Sequence, residues 1–551
     1  MRKTKGITLI ALVITIIILL ILSGISISAL TNQGLFKNAK LAKEKAEKEQ
    51  KKETSLLDQY ESELNKYIEN GRWDGKVNKP ELMTGMSAIK FTDPTDSAEG
   101  TTVDTTSSDK EWYNYENKKW ANAKTEDGSM WVWIPRYAYR IHKENGVETQ
   151  KFDVVFLVGL TDTYYDENGK LQTAQRQTSE DQTIVTNGDT YTVHPAFTNE
   201  SSINYANGGW DVELAGIWVA KFEAGYASGN NSATVKASSV NYSQDTAYVP
   251  AVETGTTTKT ATARNWLDGE YGSTTTAIKY PTFQGLTYSM NYINHNDVYR
   301  ISKVLTESGN IYGLSSNSTD SHLMKNSEWG AVSYLSQSKY GLDGTNIVIN
   351  SVYLNNTTKS VYAVTGCASS TADASAVSTT IGALNNRTQS GVYVWTQKNG
   401  TAASSTGTIY GIYDMAGGIS ERTSSLINNK NDNLKTYGSQ IIADLNNGKS
   451  TKYITIYPTG ETLGQTMAQA SQANYTNNTK IYGDAIKETS TLGTGTNSWY
   501  SDCSDFVGLS TPFLLHGGYY GGTSISGCFA FGRTSGNGSY NRGFRSVLVS
   551  L

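Results

Sequence analysis

Between Gly517 and Arg545 the chain reads GGYYGGTSISGCFAFGRTSGNGSYNRGFR, a stretch built from tyrosine, serine, threonine, asparagine and glycine. Tyrosine brings a large rigid ring with a polar tip at small entropic cost, and Ser, Gly and Asn supply adaptable hydrogen bonds, the chemistry of antibody binding loops. Tyr519, Tyr520, Thr523, Ser524, Ser526, Phe531, Arg533, Asn537, Ser539 and Tyr540 are therefore the expected ligand contacts. Gly517, Gly518, Gly543, Phe544 and Arg545 read as scaffold: glycines for tight backbone, a phenylalanine core anchor and a planar guanidinium clamp.

Residues arranged for catalysis are missing from the pattern. The five histidines (142, 194, 295, 322 and 516) are scattered, with no H-E-x-x-H pair for zinc. No phosphate-binding loop, G-x-S-x-G elbow or dinucleotide fingerprint occurs. Glu213, Glu223 and Glu328 have no visible partner and read as strand-edge or helix-cap residues rather than acid catalysts. No cofactor is expected. Calcium is compatible with the Asp- and Asn-rich loops, although no ligand spacing is diagnostic. Cys367, Cys503 and Cys528 read as small buried side chains, with a Cys503–Cys528 bridge as the alternative.

The element that would position this head begins at residue 1. MRKTKG (1–6) is a basic leader, and Ile7 to Phe36 carries no charged side chain. As a helix that run measures ~45 Å, more than the ~30 Å of a bilayer's hydrocarbon core, so a single span with a cytoplasmic N-terminus is expected. Residues 37–70 lack Pro and Gly and set eight Lys against eight Asp or Glu, many at i,i+4 as in Lys40/Glu44 and Glu47/Lys51. Leu56, Leu57, Tyr60, Leu64, Tyr67 and Ile68 add an apolar stripe, giving a charged amphipathic stalk helix that stops at Asn70-Gly71.

The segment KGITLIAL resembles a type IV prepilin signal. That resemblance implies cleavage by a prepilin peptidase after Gly6, methylation of Ile7, and assembly with pilus or secretion-system subunits. The family's usual Glu at the fifth mature position is Ala11 here, which removes the carboxylate that would pair with a neighbouring N-terminus. The expected localisation is the cell membrane, with the head extracellular and pilus association as one option.

Beyond the stalk, a linker and lead-in (71–129) precedes one large domain (130–551). Its many Tyr and Gly (35 and 51 in the whole chain) and a whole-chain net charge of −4 provide no basic field for nucleic acid. WVWIPRYAYRI (131–141), FDVVFLV (152–158), DTYTVHPAF (189–197) and AGIWVAKFEAGY (215–226) read as strands. Residues 282–305 and 321–341 read as helices, the second capped by its opening Ser321, and 227–265 and 430–495 as long polar loops.

HLMKNSEWGAV (322–332), IYGIYDMAGGISE (409–421) and the tail from His516 to Leu548 resemble, in order, three motifs of the formylglycine-generating-enzyme (sulfatase-modifying factor) family. The tail is also similar to that of the variable proteins of diversity-generating retroelements. The implied fold class is α+β: a long N-terminal helix followed by a loop-rich C-type-lectin-like head. His516 replaces the family's usual Arg, and Cys528 alone lies where the copper-binding cysteine pair would be, so the family's oxidase activity is not expected. The expected function is non-catalytic binding of a glycan or protein ligand, as an adhesin. The alternatives are a structural pseudopilin and, further off, the oxidase.

Overall fold

The computed structural model describes Lys43, Lys45 and residues 77–551, except for 93–99, 106–111, 177–189, 200–208, 226–279, 292, 357–359, 370–374, 377–390, 428–430, 447–450, 458–470 and 479–480. The chain divides into compact units Met1–Gly71 and Arg72–Leu551.

An antiparallel seven-stranded sheet forms the centre of the second unit, in the order Thr319–Leu323, Ser546–Ser550, Gly216–Ala220, Met130–Pro135, Asn122–Thr125, Met86–Lys90, Thr101–Thr102. Met130–Pro135 and Gly216–Ala220 are buried at every position, which is why they read as unbroken apolar runs instead of alternating ones. Trp133 tilts against Trp218 across this pair at 5.3 Å, and Trp131 against Phe283 at 5.0 Å. Gly216 is required here, because a Cβ would collide with the Trp133 ring.

A second sheet of five strands carries the terminal segment. Ser420–Ile427 pairs with Phe513–His516 in antiparallel register and with Thr455–Tyr457 and Arg542–Phe544 in parallel, while Phe531–Thr534 extends the sheet beyond Phe513–His516. The last strand, Ser546–Ser550, then enters the central sheet, so the terminal segment is woven into both.

Sequence and structure differ in several places. The expected α+β class led by a long helix is corrected: the described residues are mostly β-sheet with a few short helices. Among the described residues, no helix is long and apolar enough to cross a membrane. The longest helix with all its side chains described, Asn326–Ser336, has 11 residues and a rise of only about 17 Å. The expected membrane localisation and the transmembrane, pilin-type character therefore find no support. The span at 7–36, the stalk at 37–70 and the processing positions Gly6 and Ile7 lie outside the described residues, apart from Lys43 and Lys45 in the stalk.

Residues 86–90, 101–102 and 122–125, expected in a linker and lead-in, belong to the central sheet. The helix expected over 282–305 forms only at His295–Lys303, where the Asn294 side chain accepts from the Asp297 amide at 3.0 Å. The second helix starts at Asn326, not Ser321, because Thr319–Leu323 pairs with the terminal strand. Its start is closed by Glu328, whose carboxylate accepts from the Lys325 amide at 2.8 Å. The stretch 430–495, expected as loop, contains helices Asp432–Tyr437, Ser439–Asn446 and Ser471–Asn478. The loop 227–265 lies outside the described residues.

Candidate functional site

The terminal segment leaves strand Phe513–His516 through Gly517 and Gly518, both at positive φ (81° and 67°). A Cβ on Gly518 would meet Ser526 at 2.5 Å, so the chain can close the Tyr520–Ile525 turn only with glycine there. Gly543 is equally confined, with the Ile419 side chain 2.5 Å from where its Cβ would be. Phe544 is fully buried, and its carbonyl accepts from the Ala224 amide at 2.8 Å.

Arg545 holds the parts together. It is fully buried. Its Nε donates to Glu421 at 2.7 Å, Nη1 to the Ala220 carbonyl at 3.0 Å, and Nη2 to the Tyr413 carbonyl at 2.9 Å and to Glu421. Two further carboxylates lie nearby. Asp414 accepts from Asn350 at 2.8 Å and the Gly366 amide at 3.0 Å, and Glu223 from Ser289 at 2.6 Å and the Ile419 amide at 2.8 Å. Burial raises the affinity of Glu223, Asp414 and Glu421 for protons, and Arg545 pulls Asp414 and Glu421 back. Burial opposes the charge on Arg545 as well, but Glu421, Asp414 and Glu223 together outweigh it and the guanidinium stays charged. His516 stacks on Trp329 at 5.1 Å, and burial pushes its imidazole down to about 3, so it is neutral. The three sequence motifs around Trp329, Asp414–Glu421 and His516–Arg545 thus meet at one place.

The expected contact residues divide. Tyr540 is 39 % exposed, Ser524 is exposed at the turn, and Tyr519, Thr523, Arg533, Asn537 and Ser539 are half-buried. Tyr520, Ser526 and Phe531 are inside. Tyr520 is 5 % exposed and stacked on Tyr353 at 4.5 Å. The Ser526 hydroxyl accepts from the Tyr519 amide at 3.2 Å and donates to its carbonyl at 2.9 Å. Phe531 packs with Ile427, Tyr457, Phe506 and Leu514. These three support the face and are corrected from contacts to frame.

The backbone under the accessible residues is tied inward. Arg422 donates to the Asn537 carbonyl at 2.5 Å, Asn291 to the Tyr540 carbonyl at 2.9 Å, and Arg542 to the Asn537 side chain at 2.9 Å. Arg533 is paired with Asp505 at 3.2 Å.

Sequence reasoning overlooked Asp502, which anchors this segment from below. Its carboxylate accepts from the Phe529 amide at 3.0 Å, and burial pushes it up to about 8. No periodicity or motif marks an acid used in this way. Glu328 is a helix-cap residue that also meets His322 at 2.9 Å, and Glu213 pairs with Arg136 and Arg176. The cysteines are free, Cys367 and Cys528 buried and Cys503 partly so. Among the described residues no group of three or more His, Cys, Asp or Glu is placed to hold a metal ion. No protein-family model matches the chain, and no curated protein matches it.

Proposed function

We propose that this chain is a non-catalytic binding protein that captures a macromolecular ligand on the face presented by Tyr519, Thr523, Ser524, Arg533, Asn537, Ser539 and Tyr540. The observation that carries this reading is the division of the terminal side chains between surface and interior. Mostly neutral, antibody-like side chains reach solvent, while the backbone beneath them is fixed by hydrogen bonds from buried groups. Such pre-organisation lowers the entropic cost of binding. The face is spread over a turn (519–524), the strand Phe531–Thr534 and the loop 537–540, which suits a broad partner surface better than a small molecule. The resemblance of the tail to the variable proteins of diversity-generating retroelements points the same way.

The test is an array of proteins and glycans probed with the full chain and with the combined Tyr519→Ala, Arg533→Ala, Tyr540→Ala variant. Binding of a specific ligand by the parent and its loss in a folded variant is the expected result. Undiminished binding by the variant would refute the site.

A further inference from the structure

A groove of about 610 Å³ lies on a different part of the molecule and shares no lining residue with the terminal face. Its volume falls in the ~300–1,000 Å³ range of small-ligand sites. One wall is the hairpin Thr163–Tyr165/Leu171–Thr173, and another is the strand Val147–Phe156. Four tyrosines line it: Tyr164, Tyr165, Tyr191 and Tyr340. Tyr164 sets its edge against Tyr191 at 5.3 Å, and Tyr165 is 43 % exposed.

The charges of the groove are largely spent within the protein. Lys339 pairs with Glu116 at 3.5 Å and Lys151 with Asp343. Asp153 takes Arg140 at 3.0 Å and His142 at 2.8 Å. Asp166 accepts from the Asn168 and Lys170 amides at 3.0 and 2.9 Å and from the Gln172 side chain at 2.8 Å, which fixes the hairpin turn. Glu167 stands on the exposed turn. A lining whose lysines are paired with acids offers little field to draw in an anionic ligand. It does offer flat ring faces, phenolic hydroxyls and unused carboxylate lone pairs.

The geometry points to this groove as a binding site for a neutral oligosaccharide. A pyranose ring has an apolar C–H face that lies on a tyrosine ring, while its rim of hydroxyls donates to carboxylates and accepts from phenols. Both halves of that chemistry are present on the same walls. An anion would find both lysines of the groove already paired with acids.

The experiment is calorimetric titration of the full chain with neutral cello-, manno- and N-acetylchito-oligosaccharides, beside sialylated and sulfated glycans. At least one neutral oligosaccharide binds, and Tyr164→Ala and Tyr165→Ala each weaken it about tenfold or more, the loss of one stacked ring. Tyr164→Phe keeps binding within a few-fold, Tyr540→Ala leaves it unchanged, and affinity is flat up to ~0.5 M salt. The exposure of Tyr165 makes its variant safe for folding, and an unchanged melting curve confirms that. The proposal is overturned if no neutral oligosaccharide binds at millimolar concentration, if both alanine variants bind as the parent does, or if only the charged glycans bind.

Discussion

The terminal segment and the tyrosine groove use the same amino acid in opposite ways. In the terminal segment, one accessible and one buried tyrosine stand side by side at a short turn, and the segment runs through two sheets before it ends. Tyr519 and Tyr520 are adjacent in sequence, yet Tyr520 is packed on Tyr353 and Ile419 while Tyr519 stays half-exposed. In the groove, Tyr164 and Tyr165 stand on a two-stranded hairpin outside both main sheets, held by an Asp166 turn made of local bonds. Display and stability are thus interlocked in the first region and separable in the second.

That contrast orders the effects of substitution. Arg545→Met removes a buried guanidinium and leaves Glu421 and Asp414 without it, a change expected to cost about 3–5 kcal/mol in urea unfolding. Tyr165→Ala in the groove should cost no more than about 0.5 kcal/mol. A loss below about 1 kcal/mol for Arg545→Met would mean that the terminal segment is not interlocked with the core. Within the segment, Tyr520→Ala should destabilise by about 3 kcal/mol through lost packing, and Tyr540→Ala by about 0.5 kcal/mol or less. Equal costs would erase the distinction between frame and display.

A further effect is one of pH. Burial holds the Asp502 carboxyl up to about 8, above its unfolded value, so the folded state keeps a proton that the unfolded state releases. Its stabilising contribution is complete at acid pH and fades as pH rises through about 8. Neutral His516 acts in the opposite sense, but only below the ordinary histidine range. Between pH 6.5 and 8 stability should therefore fall by on the order of 1 kcal/mol per pH unit. Asp502→Asn should flatten that slope without altering the groove, and an unchanged slope would assign the effect to other buried acids such as Glu488, held up to about 7.

Much of the frame is legible in the sequence. The runs around Trp131–Pro135 and Ile217–Ala220 announce buried strands, and the G-F-R ending marks Phe544 and Arg545 for the interior. The rest is set by tertiary pairing. The start of helix Asn326–Ser336 is displaced from Ser321 because the terminal strand claims Thr319–Leu323. Which tyrosine of the Tyr519-Tyr520 pair turns inward depends on a turn that includes Thr523 at positive φ (53°), a conformation no residue type there advertises. Helices Asp432–Tyr437 and Ser471–Asn478 are mostly polar, and the apolar face of Ser439–Asn446 is only about two turns long, too short to stand out in a polar stretch. The groove is assembled from residues 116 to 340 and leaves no local signature.

That the exposed side chains of the terminal face bind, while the buried ones only hold them, is tested most directly by affinity measurements on one array-identified ligand. The proteins compared are the parent, Tyr519→Ala/Arg533→Ala/Tyr540→Ala, and the groove variant Tyr165→Ala, with unfolding curves alongside. The first variant should lose affinity by about a hundredfold with its unfolding midpoint nearly unchanged, and the groove variant should bind as the parent does. Full affinity in a folded terminal-face variant would contradict that assignment.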